Sequence, residues 1–351
     1  MKYIGAIICA VAAALLLLYP REISAAVCSA VYDCLDVMIP SLFAFTVLAV
    51  YIQGSSVGRL LLKPFALPLA KLLRLDEELC GVILLSNIGG YPVGAKLLTG
   101  LVKSGRLSSQ DASRLMCCCY GSGPAFVIGI VGARVYGNAA AGGIIFAACM
   151  LTSLIIAVSV CRRGERIRLS EGSEAAEKGL VGAVKSGASV MMTVCTMIVA
   201  FSVVIELLEI TGISALSESL AAALGAKDGA GAVTGALLEI SRIRELAASE
   251  VWAAPMCGAL LSFGGVCVIL QVYAITEGAF SLKLFLISRV PAAVLCGALS
   301  LPAALLPKAA VECIGGGVAV VEPFSLNIAL SACVLIMSGM LLCGDDKSTY
   351  V

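Results

Sequence analysis

Leu85-Ser86-Asn87-Ile88-Gly89-Gly90-Tyr91-Pro92-Val93-Gly94-Ala95-Lys96-Leu97-Leu98 decides how this chain is read. An apolar run enters the stretch, breaks on Gly-Gly-Tyr-Pro and resumes past a lysine. Pro92 lacks an amide proton and its ring clashes with the preceding turn, so a continuous helix fails there. Gly89 and Gly90 open backbone angles closed to other residues. In a soluble protein this is an ordinary turn. In a chain this apolar it is backbone broken inside a membrane, tolerated only where protein buries it or a wet cavity borders it. Amide protons freed at the second half-helix, with Lys96 one turn on, offer positive potential to an anion. Asn87, Gly90, Tyr91 and Lys96 are therefore the first candidate substrate-binding residues.

The surrounding composition supports a membrane setting. Of 351 residues, 60% are hydrophobic and 13% charged, with a mean hydropathy of +1.04. A soluble chain is about 25% charged, so the fold class expected is all-α, a polytopic membrane protein with the lipid bilayer as its surroundings. A net charge of +1, with no basic face, excludes a nucleic-acid partner. The sixteen cysteines contain no Cys-x-x-Cys pair, and many, such as Cys149 and Cys267, sit in apolar runs where cysteine packs as a small hydrophobe. Cys117-Cys118-Cys119 point to different sides of a helix, which favours packing over a thiol metal site. The chain has no histidine, which removes His-Glu-x-x-His metal chemistry and histidine-based triads. The expectation is a non-enzyme with neither metal nor cofactor.

Taken in order, residues 1–23 read as a first membrane span. Met1-Lys2 and the apolar run to Leu18 resemble a signal peptide, but the run is long for one and further spans follow. A second span is expected over 36–53, followed by a cationic, leucine-rich interfacial helix over 59–74. Ser108-Ser109-Gln110-Asp111 reads as a capping box. Tyr120-Gly121-Ser122-Gly123-Pro124 is a second break, and 139–160 a further span. Residues 24–161 thus form one repeat.

Four arginines in the seven positions 162–168 begin a linker, 162–187, expected to be solvated and cytoplasmic. A second repeat, 188–306, then follows the order of the first: a span over 188–208, a short amphipathic piece over 216–224, a polar interruption at Glu239–Glu245 and a break at Ser262-Phe263-Gly264-Gly265. Residues 307–351 supply a loop, a last span over 325–343 and a tail.

Ionisable groups at membrane depth cost roughly 2.5–3.5 kcal/mol or more each, so they are usually paired or functional. Glu239 and Arg242 share a helical face, as do Arg242 and Glu245. They make either a self-neutralising ladder or, with Ser241, a polar site. Ser122 and Ser262, beside glycines at breaks, either bind a ligand or satisfy a carbonyl of their own helix. Glu206 and Glu209 read as interfacial.

The stretch Asn87–Lys96, followed by Tyr120-Gly121-Ser122-Gly123-Pro124-Ala125-Phe126-Val127-Ile128-Gly129, resembles the paired gate segments of YlbJ-type sporulation integral membrane proteins. The specific part is Gly-Tyr-Pro-x-Gly-Ala-Lys, at Gly90, Tyr91, Pro92, Gly94, Ala95 and Lys96. Those proteins are in turn similar to concentrative nucleoside transporters. The resemblance implies two gate-type repeats and a transporter in the membrane around the forespore of an endospore-forming cell. The substrate it implies is dipicolinic acid, an aromatic dianion that Lys96 and Arg242 would neutralise and on which Tyr91 would stack. A nucleoside-like solute asks instead for amide and carboxylate partners. A non-transporting scaffold for spore-envelope assembly is the reading from a different class. A coupling ion and a homo-oligomer are left open. At the second break the family pattern is Asn/Ser-rich, whereas Gly121-Ser122-Gly123 leaves a single hydroxyl.

Overall fold

A computed structural model describes residues 2–162, 166–170, 179–215, 219, 230–246 and 252–306. The expected amphipathic piece at 216–224 (Ser219 apart) and the last span at 325–343 lie outside them, as does the side chain of Glu245. The described residues are helical, with no strand among them. Five helical stretches are long and apolar enough to cross a membrane: Pro20–Gly54, Ala139–Cys161, Gly179–Ile210, Ala253–Thr276 and Lys283–Leu305. This is the all-α pattern of a polytopic membrane protein.

Helix α1 spans Lys2–Leu18 and α2 spans Pro20–Asp33. A π-helical turn, Cys34–Met38, joins α2 to α3, Ile39–Gly54. The helix expected over 36–53 therefore begins earlier. Asp33 and Asp36 do not stop it, because the π turn absorbs an extra residue without opening the ladder, and Pro40 follows that turn inside one helical stretch, Pro20–Gly54. Helix α4, Ser56–Leu73, is capped by the Ser55 hydroxyl, which accepts from Gly58 N at 2.8 Å. It exposes Leu60, Leu61 and Phe65.

Helices α5, Glu77–Gly89, and α6, Tyr91–Lys103, meet at Gly90, whose φ of 93° is open to glycine and strained for other residues. Helix α7, Ser109–Leu115, starts at the expected box, with Asp111 N donating to Ser108 Oγ at 3.0 Å. A π-helical segment, Ala125–Val135, follows the second break, and α8, Ala139–Cys161, follows that. In the second half come α9, Gly179–Ile210; α10, Ala230–Leu238; a 3-10 turn, Ile240–Glu245; α11, Ala253–Phe263; α12, Gly265–Thr276; and α13, Lys283–Leu299.

Lipid is as apolar as the core, so these helices are held together by close approach and polar contacts rather than by water exclusion. Small residues mark the closest crossings. A Cβ on Gly132 would lie 2.7 Å from Gly142 Cα, where the π segment crosses α8. One on Gly94 would lie 1.8 Å from Cys119 O, and one on Gly187 would lie 2.7 Å from Val47 Cγ2, between α9 and α3.

Basic residues gather at one end. Arg106 forks onto Glu78 at 2.7 and 2.8 Å, Arg114 reaches Val160 O at 3.1 Å, and Arg162 reaches Leu72 O at 3.1 Å. Lys103 donates to Glu277 at 2.7 Å and holds that exposed carboxyl below its ordinary range. The linker beyond Arg162 was expected to be solvated. Its described part is instead docked: Ile167 is fully buried, Leu169 N donates to Asp76 at 2.9 Å, and Ser170 N donates to Arg106 O at 2.9 Å. An apolar side chain and two backbone bonds explain the difference.

The positive-inside rule predicts that this end faces the cytoplasm, which labelling tests. A cysteine at exposed Ser170, in a chain whose exposed Cys9 and Cys28 are replaced by serine, should resist an impermeant thiol reagent in intact cells and react once the membrane is opened. Labelling of intact cells would reverse the orientation.

Candidate functional site

The breaks in the helices come together. The Gly90 and Gly123 backbones are close enough that a Cβ on Gly90 would lie 3.7 Å from Gly123 N. A Cβ on Gly265 would lie 3.5 Å from Ile240 N, so the interruptions of the second half also adjoin. Each break frees carbonyls in an apolar interior, and side chains take them up. Asn87 Nδ2 donates to Ile83 O at 2.8 Å and to Cys118 O at 3.1 Å; Ser153 Oγ also donates to Cys118 O, at 2.6 Å. Tyr91 Oη donates to Leu261 O at 2.7 Å and bonds Ser122 Oγ. Tyr120 Oη donates to Phe263 O at 3.1 Å.

One residue that the sequence reasoning passed over completes this set. Arg289, on α13 and 2% exposed, donates to Ser262 O at 3.2 Å, Cys117 O at 2.5 Å and Ser288 Oγ at 3.1 Å. Its guanidinium also lies over the Tyr120 and Phe285 rings, 4.7 and 4.8 Å from their centroids. The signal was present: an arginine inside an apolar span, two residues before Pro291. The reading of the breaks drew attention to charges near glycines instead.

Several expectations change accordingly. Tyr91 does not offer a free ring, since it packs on Tyr120 at 4.9 Å and its hydroxyl is engaged. Ser122 is buried between Tyr91 and Leu261 O. Ser262 contributes its carbonyl to Arg289, and its residue borders a small cavity together with Ser122, Thr152 and Arg289. Lys96 borders neither of the cavities at the breaks and lies in the field of Glu277, toward the basic end.

A larger polar cavity, ≈ 280 Å³, lies at the Glu239 interruption. Glu239, Ser241, Arg242, Arg244, Asp33 and Glu206 border it, with Ser29 and Ser202. Glu239 sits in extended backbone between α10 and the 3-10 turn. Its buried carboxylate accepts from Ser241 N at 3.1 Å and from Ser241 Oγ. The chain here forms a 3-10 turn with Glu239 in extended backbone before it, and Arg242 and Arg244, two positions apart, reach different helices. Arg244 forks onto Asp33 of α2 at 2.7 and 2.6 Å, and Arg242 reaches Glu209 of α9 at 3.1 Å. Glu209, expected at the interface, is thus a partner of the cavity's arginine. The candidate residues divide into a hydrogen-bonded lock (Asn87, Gly90, Tyr91, Ser122, Ser262) and an open cavity (Glu239, Ser241, Arg242), with Lys96 apart from both.

Gly264 tests the lock. Its φ is 86°, and a Cβ there would fall 1.7 Å from Tyr120 Oη. Gly264→Ala should lower the unfolding temperature in detergent by an amount corresponding to about 1–3 kcal/mol or more. Tyr120→Phe in the same chain should recover part of that loss. An unchanged unfolding curve would mean that the two breaks do not meet as described.

No family model, curated protein or solved structure matches the chain.

Proposed function

We propose that this chain is a membrane transporter for a small polar solute, and that the solute occupies the Glu239 cavity. The observation that carries the reading is a cavity of ≈ 280 Å³ bordered by a buried carboxylate at an interrupted helix, in a chain with five helices long enough to span a bilayer. Irregular backbone at membrane depth is stable only where protein or a wet cavity surrounds it, and transporters use such interruptions to hold solutes near the midplane.

The arrangement of elements supports two related halves. If α3 corresponds to α9, α8 to α13, α6 to the 3-10 turn, and the 125–135 segment to α12, then every one of these elements packs on a symmetry-consistent partner. Helix α3 packs on α9, α8 on α13, α6 on α12, and the 3-10 turn on the 125–135 segment. Helix α3 ends at the basic end beside Arg59, whereas α9 leaves it, so the halves run in opposite directions, as inverted repeats do.

The charge in the cavity bears on the substrate. Dipicolinate, implied by the likeness to YlbJ-type proteins, asks for cations to meet two carboxylates. Here Asp33, Glu206 and Glu239 face Arg242 and Arg244, three acidic groups to two basic ones, and the two arginines are already held by Glu209 and Asp33. Carboxylates and hydroxyls in excess suit a solute rich in hydroxyl or amino donors, which favours the nucleoside-like reading over the dianion. The forespore outer membrane as location follows from the likeness alone.

Purified protein in liposomes, offered labelled uridine and labelled dipicolinate, tests both substrates. Glu239→Gln should weaken solute affinity about ten- to a hundredfold, the loss of one charge-assisted hydrogen bond at about 1.5–3 kcal/mol, with the unfolding temperature nearly unchanged. Lys96→Gln should leave uridine affinity as it is. Dipicolinate uptake abolished by Lys96→Gln would restore the dianion. Uptake of neither solute, in protein that tolerates neutralising Glu239, would favour the scaffold.

A further inference from the structure

We propose that Arg289 holds a single halide ion, chloride in ordinary salt, in the small cavity between the helix breaks. This site is separate from the Glu239 cavity and does not rest on the transport reading. Its volume is ≈ 10 Å³, room for one solvent-sized particle. Arg289 borders it and is 2% exposed, and its Nε–H has no partner although Nη1 donates to Ser262 O and Nη2 to Cys117 O and Ser288 Oγ. Thr152, 1% exposed, borders the same space, and its hydroxyl finds no oxygen or nitrogen partner, only the Cys296 thiol beside it. Two buried donors thus belong to residues that border one small space.

Charge decides between an anion and a neutral water. No acidic side chain borders the cavity, and among the described residues no carboxylate pairs with Arg289. Backbone carbonyls and two aromatic faces solvate the guanidinium but carry no net negative charge. A buried charge without a counter-charge is costly, so an ion that accepts from Nε–H and from the Thr152 hydroxyl while neutralising the guanidinium is favoured over water. Oxyanions such as phosphate or a carboxylate are too large for the space.

The test is thermal unfolding of the whole purified protein at constant ionic strength, with sodium gluconate replaced stepwise by sodium chloride or bromide. Halide should raise the unfolding temperature saturably. Thr152→Val, which keeps the shape and removes one donor, should raise the half-saturating halide concentration about tenfold or more. Arg289→Gln, if it folds, should abolish the halide response, and crystals grown in bromide should show its anomalous signal beside Arg289 Nε. Identical unfolding curves in gluconate, chloride and bromide, or a bromide crystal with no anomalous peak there, would overturn the proposal in favour of a neutral water.

Discussion

Backbone that leaves the helix inside an apolar bundle must find new hydrogen-bond partners, and the rest of this structure depends on how that requirement is met. The carbonyls of Cys117, Cys118, Leu261, Ser262 and Phe263 all lie at the breaks, and each accepts from a side chain: Arg289, Asn87 with Ser153, Tyr91 with Ser122, Arg289 again, and Tyr120. A buried carbonyl left unpaired costs about 1–3 kcal/mol, so five of them amount to roughly 5–15 kcal/mol. That is the size of a whole domain's stability. Four of these bonds, Arg289 to Cys117, Tyr91 and Ser122 to Leu261, and Tyr120 to Phe263, join residues before the linker to residues after it. Satisfying the backbone thus also ties the early helices to the late ones.

Much of this was legible in the sequence, because the breaks are chemical and local. Proline and paired glycine interrupt a helix wherever they occur, and the apolar composition says that the interruption is buried. Gly90 and Gly264 duly carry left-handed φ values, and the capping box at Ser108 is formed. What could not be read was which break meets which. Asn87 to Cys118, Tyr91 to Leu261 and Arg289 to Ser262 are contacts across 31, 170 and 27 positions, fixed by packing rather than by any local pattern. Read from the breaks, Tyr91, Ser122 and Lys96 looked like ligands of one substrate. Packing gave the first two to the lock and left Lys96 in the field of Glu277.

The charges at the Glu239 interruption show the same limit from another side. Spacing on an α-helix suggested pairing within the segment, but Glu239 lies in extended backbone before the turn, and a 3-10 turn advances about 120° per residue, so Arg242 and Arg244, two positions apart, point in different directions. Arg242 and Arg244 then reach different helices, α9 and α2, and each meets a carboxylate there. Asp33 and Glu209 looked incidental in the sequence because their partners lie 211 and 33 positions away. The arginines tie the turn to α2 and α9 and so hold the cavity walls apart.

The two polar centres differ in a way that bears on how such a molecule moves. The lock is dense: its described donors and acceptors pair almost completely, and any relative motion of the halves would expose carbonyls with nothing to replace their partners. The Glu239 cavity has space, and its ion pairs are partly open to solvent, where breaking and remaking them costs little. If the chain is the carrier proposed above, opening the lock is the costly way to alternate. The cheaper motion would swing the 3-10 turn with α10 against α2 and α9, exchanging the Arg242 and Arg244 partners while the lock stays closed as the pivot.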